Sequence, residues 1–352
     1  MPPPIRRRAA GDPLRVIFHI GPHKTGTTYM QRRLFQLRSR LARHAITYHM
    51  PNRAHLPLLE PVRVEGPAMQ HSDIATRLTP ALLGAFTDEV AEIRDSSQVC
   101  LVISSEALAK LSAEQLAPLK EIFARDQVEV YAYCRRWSDR LPSHWWQLVS
   151  TGLTTPFPQW LAGILKQGVT NRIVNESVLW QRWANLFGRE AVHVLSYDAL
   201  RMARVDIADD FLNARLRWGG KFMVPPRRKD MRTMPSALEM EVIRTLSVHA
   251  AAQGVAISYK MRNDILDRLR EADFQPLRNI AAGNLQTMRI DDMDPVFAES
   301  LQAMKSWEDR LMTSALSPSI LLPRVSQFRF VPPEALQQPA AEAVFSDLLV
   351  PA

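Results

Sequence analysis

The chain has 352 residues, 46% of them hydrophobic, a formal net charge of +8 and a pI near 9.8. That length supports a sizeable core in one large α/β domain or two modest ones, and the basic excess favours anionic partners. Nucleic acid is not expected among them, since no zinc-finger spacing, RNA-binding aromatic motif or sustained basic helix occurs.

Residues 1–12 carry charge without a hydrophobic stretch and read as a disordered basic tail, not a secretory signal. No run approaches the roughly 20 apolar residues that span a bilayer, so a cytoplasmic protein is expected, with peripheral membrane contact left open by the basic surface. Val16–Ile20 is a β-branched and aromatic run that predicts a buried strand. Gly21-Pro22-His23-Lys24-Thr25-Gly26-Thr27-Thr28 then predicts a tight polar turn, and a helix follows with Leu34, Leu37 and Leu41 on one face. Strand, glycine turn and helix N-terminus together form an anion cradle, because free N–H groups and the helix dipole converge on one spot. The nucleotide-hydrolysing form of this loop, G-x-x-x-x-G-K-[ST], puts its lysine where Thr27 stands here, and the only lysine, Lys24, lies inside the loop. No acidic residue is placed by sequence to hold a metal. Phosphate binding by backbone, hydroxyls and one lysine, without a metal ion, is therefore expected. A ligand-free glycine turn and a conventional kinase or nucleotide hydrolase stay open as alternatives.

Residues 43–80 are irregular and rich in His and Pro, and read as a surface excursion or lid; His44, His49, His55 and His71 lack zinc spacing. A helix is predicted over 80–94 and a buried strand over 98–103, ending in Ser104-Ser105-Glu106. Ser112 to Gln115 has the shape of a capping box opening a helix to about 124. Strand 128–134 leads into Arg135 and Arg136, then a helix over 138–150. A helix over 175–187, with Leu179, Trp183, Leu186 and Phe187 as its core stripe, stops at Gly188. Strand 191–196 and a helix over 205–216 follow. A basic loop at 225–232 contains Arg227, Arg228 and Lys229, and helices are expected at 235–249, 259–272 and 293–312. The last 35 residues, proline-rich, read as an irregular tail. Cys100 and Cys134 sit in apolar strand-like runs and predict buried free thiols, not a disulfide framework.

Strands alternating with amphipathic helices predict an α/β fold with a central, mostly parallel sheet covered on both sides. A single domain over 13–335 is expected, with the excursion at 43–80 and a tail at 336–352. Ligands in such sheets bind at the carboxyl ends of the strands, which gathers Gly21–Thr28, Ser104–Glu106 and Arg135 at one rim.

With these residues in place, the chain resembles the sulfotransferases that use 3′-phosphoadenosine 5′-phosphosulfate (PAPS), most closely their bacterial branch, over about residues 14–310. HIGPHKTGTTYMQ is similar to the family's 5′-phosphosulfate loop. YCRRWSDRLPSHWWQ is similar to its 3′-phosphate motif, a strand-ending Arg followed eight residues later by a helical Ser, here Arg135 and Ser143. SSEAL, RWANLFG, SYDAL with DIADDFL, and RRKDMRTMPSALEMEVIR also resemble recurring blocks of that branch.

The resemblance implies a P-loop-like sulfotransferase fold and sulfuryl transfer from PAPS to a hydroxyl or amine. It puts Lys24 at the oxygen where charge develops, with Gly21, Pro22, His23, Thr25, Gly26, Thr27 and Thr28 around the 5′-phosphate, and Arg135 with Ser143 at the 3′-phosphate. Glu106 becomes the candidate base and His23 its rival. The bland alternatives are a solvated charge for Arg135, an ordinary helix hydroxyl for Ser143 and a salt bridge or helix-start charge for Glu106. His19 reads as core, Asp139 as an N-terminal helix charge, and Ser104 and Ser105 as acceptor-positioning or capping residues. Trp137, Trp145 and Trp146 either stack on adenine or line the acceptor cleft, or simply pack the core. Arg227, Arg228 and Lys229 are candidates to close the nucleotide site, or a solvated loop; the family's late R-K-G-x-x-G motif is absent, which leaves nucleotide selectivity open. The expected acceptor is a glycan, a lipid-linked sugar or a small molecule.

Overall fold

The computed structural model describes residues 9, 12–21, 25–49, 60–62, 75–77, 80–216, 234–252, 254, 257–269, 274–311, 321–337, 339, 341 and 345. The expected basic tail, most of the 43–80 excursion, the loop residues Pro22, His23 and Lys24, the basic residues Arg227, Arg228 and Lys229, and most of the 336–352 segment lie outside them.

In chain order the elements are β1 (Arg15–His19), α1 (Thr27–Arg43), β2 (Ile46–Tyr48), β3 (Glu60–Val62), β4 (Ala75–Arg77), α2 (Pro80–Asp95), β5 (Cys100–Ser104), α3 (Ala113–Ile122) and β6 (Gln127–Cys134). Then come α4 (Trp137–Val149), α5 (Phe157–Gln167), α6 (Ser177–Phe187), β7 (Val192–Ser196), α7 (Tyr197–Met202), α8 (Ile207–Asp209), α9 (Ala237–Ala252), α10 (Tyr259–Arg268), α11 (Gln275–Asn284), β8 (Gln286–Asp291), α12 (Ala298–Lys305) and β9 (Val325–Phe330).

Five strands form the central sheet in the order β2-β5-β1-β6-β7, and every pairing is parallel. The register puts Phe18 beside Ile103 and His19 beside both Ser104 and Tyr131. Because side chains alternate across a strand, each strand feeds two cores. Val16, Phe18, Leu101, Ile103, Val130, Ala132, Val192 and Val194 face α2, α3, α4, α6 and α9. Ile17, Val102, Tyr131, Tyr133 and Leu195 face α1, where Met30, Leu34, Leu37 and Leu41 form the expected stripe. The helix leaving β1 therefore lies on one face, and those leaving β5 and β6 lie on the other. Such a reversal opens a crevice at the carboxyl ends of the strands, here on both sides of β1.

Local signals are borne out where they are strong. Ser112 and Gln115 form the full capping box at the start of α3, and Gly188, with φ +92°, ends α6. Cys100 and Cys134 are free and buried. No helix among the described residues is long and apolar enough to cross a membrane.

Four expectations are corrected. The supposedly irregular 43–80 stretch contains β2, an edge strand of three residues, too short to show a period but paired along Ile46–Tyr48 with Cys100–Val102. The helix expected over 205–216 is one turn, α8, capped by Asp206, which runs into a π-helical turn at Asp210–Arg215. The helix expected over 293–312 is broken into α12 and flanking 3₁₀ turns at Pro295–Phe297 and Glu308–Arg310. The proline-rich tail contributes β9, which pairs antiparallel with β8 from Gln286↔Phe330 to Asp291↔Val325. The helix α5 was not anticipated at all.

Candidate functional site

The chain leaves β1 through Ile20 and Gly21 and re-enters regular structure at Gly26, whose left-handed φ of +82° would strain any other L-residue. Gly21 is required for a different reason: a Cβ there would lie 2.3 Å from Thr27 Oγ1. The glycine spacing read from sequence thus has two separate physical causes. The first turn of α1 has no side-chain cap and no acidic residue, while Arg40 and Arg43 occupy its last turn. Its positive end and free N–H groups are left facing the loop. Thr25 and Thr27 are buried and Thr28 is exposed. Thr27 Oγ1 is a buried hydroxyl with no hydrogen-bond partner among the described residues, which ordinarily costs about 1–3 kcal/mol.

Beneath the loop lies a neutral polar cluster. His19 Nδ1 and Ser104 Oγ share a 2.7 Å hydrogen bond across the β1–β5 register. Both residues are buried, and His19 Nε2 has no hydrogen-bond partner among the described residues. Burial pushes the His19 imidazole down to about 4, with the nearby Glu106 charge pulling weakly the other way, so the ring is neutral at physiological pH. Gln31, one turn beyond Thr27 on α1, donates to the Ser104 carbonyl at 3.1 Å. Glu106 follows two residues later, half-buried, at the start of the short 3₁₀ turn Ala107–Lys110.

The other side of β1 is built from charges. Arg135 emerges from β6, mostly buried, with its guanidinium 5.4 Å from the Tyr197 ring centre and 4.0 Å from Asp139. Burial lowers its pKa, opposed by Tyr197, Asp139 and Asp198. Arg136 is differently engaged: it binds Asp139 at 2.7 Å, and its backbone N–H donates to Asp198 at 2.7 Å. Asp139 is also 3.8 Å from Arg201. Burial alone would raise the Asp139 carboxyl, but the Arg136 hydrogen bond and the charges of Arg135, Arg136 and Arg201 outweigh it and hold it below the usual range. Asp139 is thus an ion-paired residue in the first turn of α4, in keeping with its reading as a helix-start charge. Ser143 stands one turn further along the same helix, half-buried.

Tyr197 was missed as a site residue, although the block containing it was noticed. A Cβ at Gly26 would lie 3.5 Å from Tyr197 Cε2, and the ring also meets the Arg135 guanidinium and packs against the core on the α1 side. It therefore connects the loop to the β6 terminus, and no local pattern could have shown that. The tryptophans resolve toward packing. Trp137 is fully buried, stacks on Phe297 with ring centres 4.5 Å apart and donates to the Val174 carbonyl. Trp145 is buried and donates to the Thr155 carbonyl. Only Trp146 is partly exposed. A cavity of about 640 Å³ between α5, α9 and residues 333–337 is lined by none of the predicted site residues.

No family model and no curated protein matches the chain. Among solved structures, the sulfotransferase from Alicyclobacillus acidocaldarius is similar at 18% identity and a TM-score of 0.40, covering 67% of this chain and 94% of that one. Likeness at that level bears on neither chemistry nor substrate.

Proposed function

We propose that the chain is a PAPS-dependent sulfotransferase, transferring the sulfuryl group to a hydroxyl or amine of a glycan, lipid-linked sugar or small molecule. The observation that carries this reading is a pair of anion-binding features flanking one strand. On one side of the β1–loop–α1 unit lies an uncapped helix N-terminus with the Thr27 hydroxyl, unpartnered among the described residues; at the next strand end lies the mostly buried cation of Arg135. Two separated anion sites fit a nucleotide bearing phosphate at both its 5′ and 3′ positions. The donor set suits such a group: backbone N–H groups and hydroxyls at one end, and a planar guanidinium at the other.

When bound, PAPS supplies an activated sulfuryl group on its 5′-phosphate. The residues of this chain do the rest. Thr25, Gly26 and Thr27 would hold the 5′-phosphate, and Lys24, by its place in the sequence, would meet charge as it develops on the leaving oxygen. Arg135, steadied by Tyr197, would hold the 3′-phosphate, with Ser143 on the adjoining helix. Glu106, on the β5 side, would take the proton from the acceptor. His19 is neutral and sealed beneath the loop, which suits it to holding structure and not to exchanging protons with an acceptor.

Calorimetry with adenosine 3′,5′-bisphosphate against Mg·ATP tests the reading. The bisphosphate should bind more tightly, and a preference for Mg·ATP would defeat the proposal in favour of a kinase or nucleotide hydrolase.

A further inference from the structure

Ser104 is tied to both flanks of the phosphate loop. Its side chain binds His19, two residues before the loop opens at Gly21, and its carbonyl accepts from Gln31 in α1, just after the loop closes. The last backbone bond between these strands runs from Ser105 N–H to the His19 carbonyl at 3.0 Å. Beyond it the two chains part, one into the loop and one into Glu106. We propose that His19, Ser104 and Gln31 form a clamp that fixes the phosphate loop relative to the Glu106 carboxylate, with His19 as a positioning residue. The proposal rests on the reading of Glu106 as the proton acceptor.

Stability does not account for the imidazole. Its surroundings are aromatic, with Tyr133 and Phe211 ring centres at 5.7 and 5.5 Å, and its Nε2 is buried without a partner among the described residues. A phenyl ring would remove the orphaned nitrogen, at the cost of a little added volume and of the hydrogen bond to the Ser104 hydroxyl. What phenylalanine cannot do is hold Ser104. The imidazole is therefore retained at a cost to the fold for the sake of one hydrogen bond between two strand ends. That trade is expected at a functional site rather than in a passive core.

The test compares His19→Phe, His19→Asn and Ser104→Ala with the wild type. Asparagine can present its amide close to the position of Nδ1 and so restore the bond to Ser104. His19→Phe should unfold within a few degrees of the wild type, the removal of the orphaned nitrogen offsetting the lost bond to Ser104. It should keep adenosine 3′,5′-bisphosphate affinity and the KM for PAPS within about threefold, and lose about 5–10-fold in kcat, the worth of one hydrogen bond. His19→Asn should recover most of that kcat despite a lower melting temperature. Ser104→Ala should match His19→Phe, and the double variant should lose little more. An unchanged kcat in His19→Phe, or no recovery in His19→Asn, overturns the clamp.

A second readout needs no turnover. Amide hydrogen exchange, followed by mass spectrometry, should accelerate together in residues 20–28 and 104–107 of His19→Phe. Acceleration in one segment alone also overturns the clamp. Failure of the wild type to bind adenosine 3′,5′-bisphosphate would instead defeat the functional reading, while coupled exchange would still uphold the mechanical link.

Discussion

The two sides of β1 solve different electrostatic problems. Toward β5 the buried groups are neutral, an imidazole, two serines, a carboxamide and a threonine hydroxyl, with the Glu106 carboxylate following at the rim and with His19 Nε2 and Thr27 Oγ1 unpartnered among the described residues. Toward β6 and β7 the groups are ions, and Asp139 alone lies within 4.0 Å of Arg135, Arg136 and Arg201. A paired lattice holds its geometry whether or not a ligand is present, which suits recognition of a charge that never changes. A neutral, incompletely bonded cluster leaves capacity for charge that appears only during reaction. Under the proposed sulfotransferase reading, the β6 side would anchor the nucleotide in the ground state and the β5 side would meet the reacting group.

Breaking the lattice should produce the largest effect. Asp198 is fully buried, accepts the Arg136 N–H and lies 3.5 Å from its guanidinium. Asp198→Ala should cost about 3 kcal/mol, since it leaves the buried Arg136 N–H without its acceptor and removes a carboxylate that offsets both Arg135 and Arg136, although Asp139 still pairs with them. Urea unfolding measures this, and a loss below about 1 kcal/mol would mean that the lattice is not a structural anchor. Lys24→Ala, at the lysine proposed to meet the developing charge, should lower turnover about 10²–10³-fold with a much smaller effect on nucleotide affinity. Equal losses in both would place Lys24 among the anchoring groups instead.

Acid titrates the two sides in different windows. His19 has its pKa lowered from 6.5 to about 4 by burial, so the unfolded chain binds its proton first as pH falls. It exacts no penalty above pH 6.5, and as pH falls to about 4 the protonation of the unfolded chain destabilises the fold progressively, by about 3 kcal/mol in all. Asp139, whose pKa is depressed, contributes fully above its unfolded value of 3.8 and loses that contribution only as pH falls through its lower folded value. Unfolding of the wild type and His19→Phe across pH 4–7 isolates the first window, because His193, also lowered to about 4 by burial and Arg310, remains in both proteins. Parallel curves would show that His19 is not sealed as described.

Arg135→Ala should reduce the preference for adenosine 3′,5′-bisphosphate over adenosine 5′-phosphate by about 10–100-fold, the worth of a hydrogen bond to a charged group. An unchanged ratio by calorimetry would remove Arg135 from the 3′ position. The smallest effect belongs to Gly26→Ala, which forces a Cβ into left-handed backbone and should destabilise by about 1–2 kcal/mol. Thermal unfolding measures it.

The unit from β1 through α1 was legible because all its signals are local: an uninterrupted apolar strand, glycines at fixed spacing and a helical stripe of leucines. The gathering of Gly21–Thr28, Ser104–Glu106 and Arg135 at one rim was also legible, since a parallel sheet puts all strand ends on the same side. Within that rim, sequence alone singled out Arg135, gave Arg136 no role, and left the tryptophans between cleft and core. Tertiary contacts separate the pair, setting Arg135 against Tyr197 and Arg136 against Asp139 and Asp198, and they seal Trp137 and Trp145 inside.

What only the tertiary structure decided shares one physical origin. The three-residue β2 has no periodicity of its own and is a strand because β5 offers it a ladder. The β8–β9 pair joins segments more than 30 residues apart, and the His19–Ser104 bond spans 85 positions. Local periodicity reports which face of an element is buried, and so determined the α/β class. Which polar group meets which partner across the sheet depends on strand order and register, and these are set by packing over distances that no local pattern encodes.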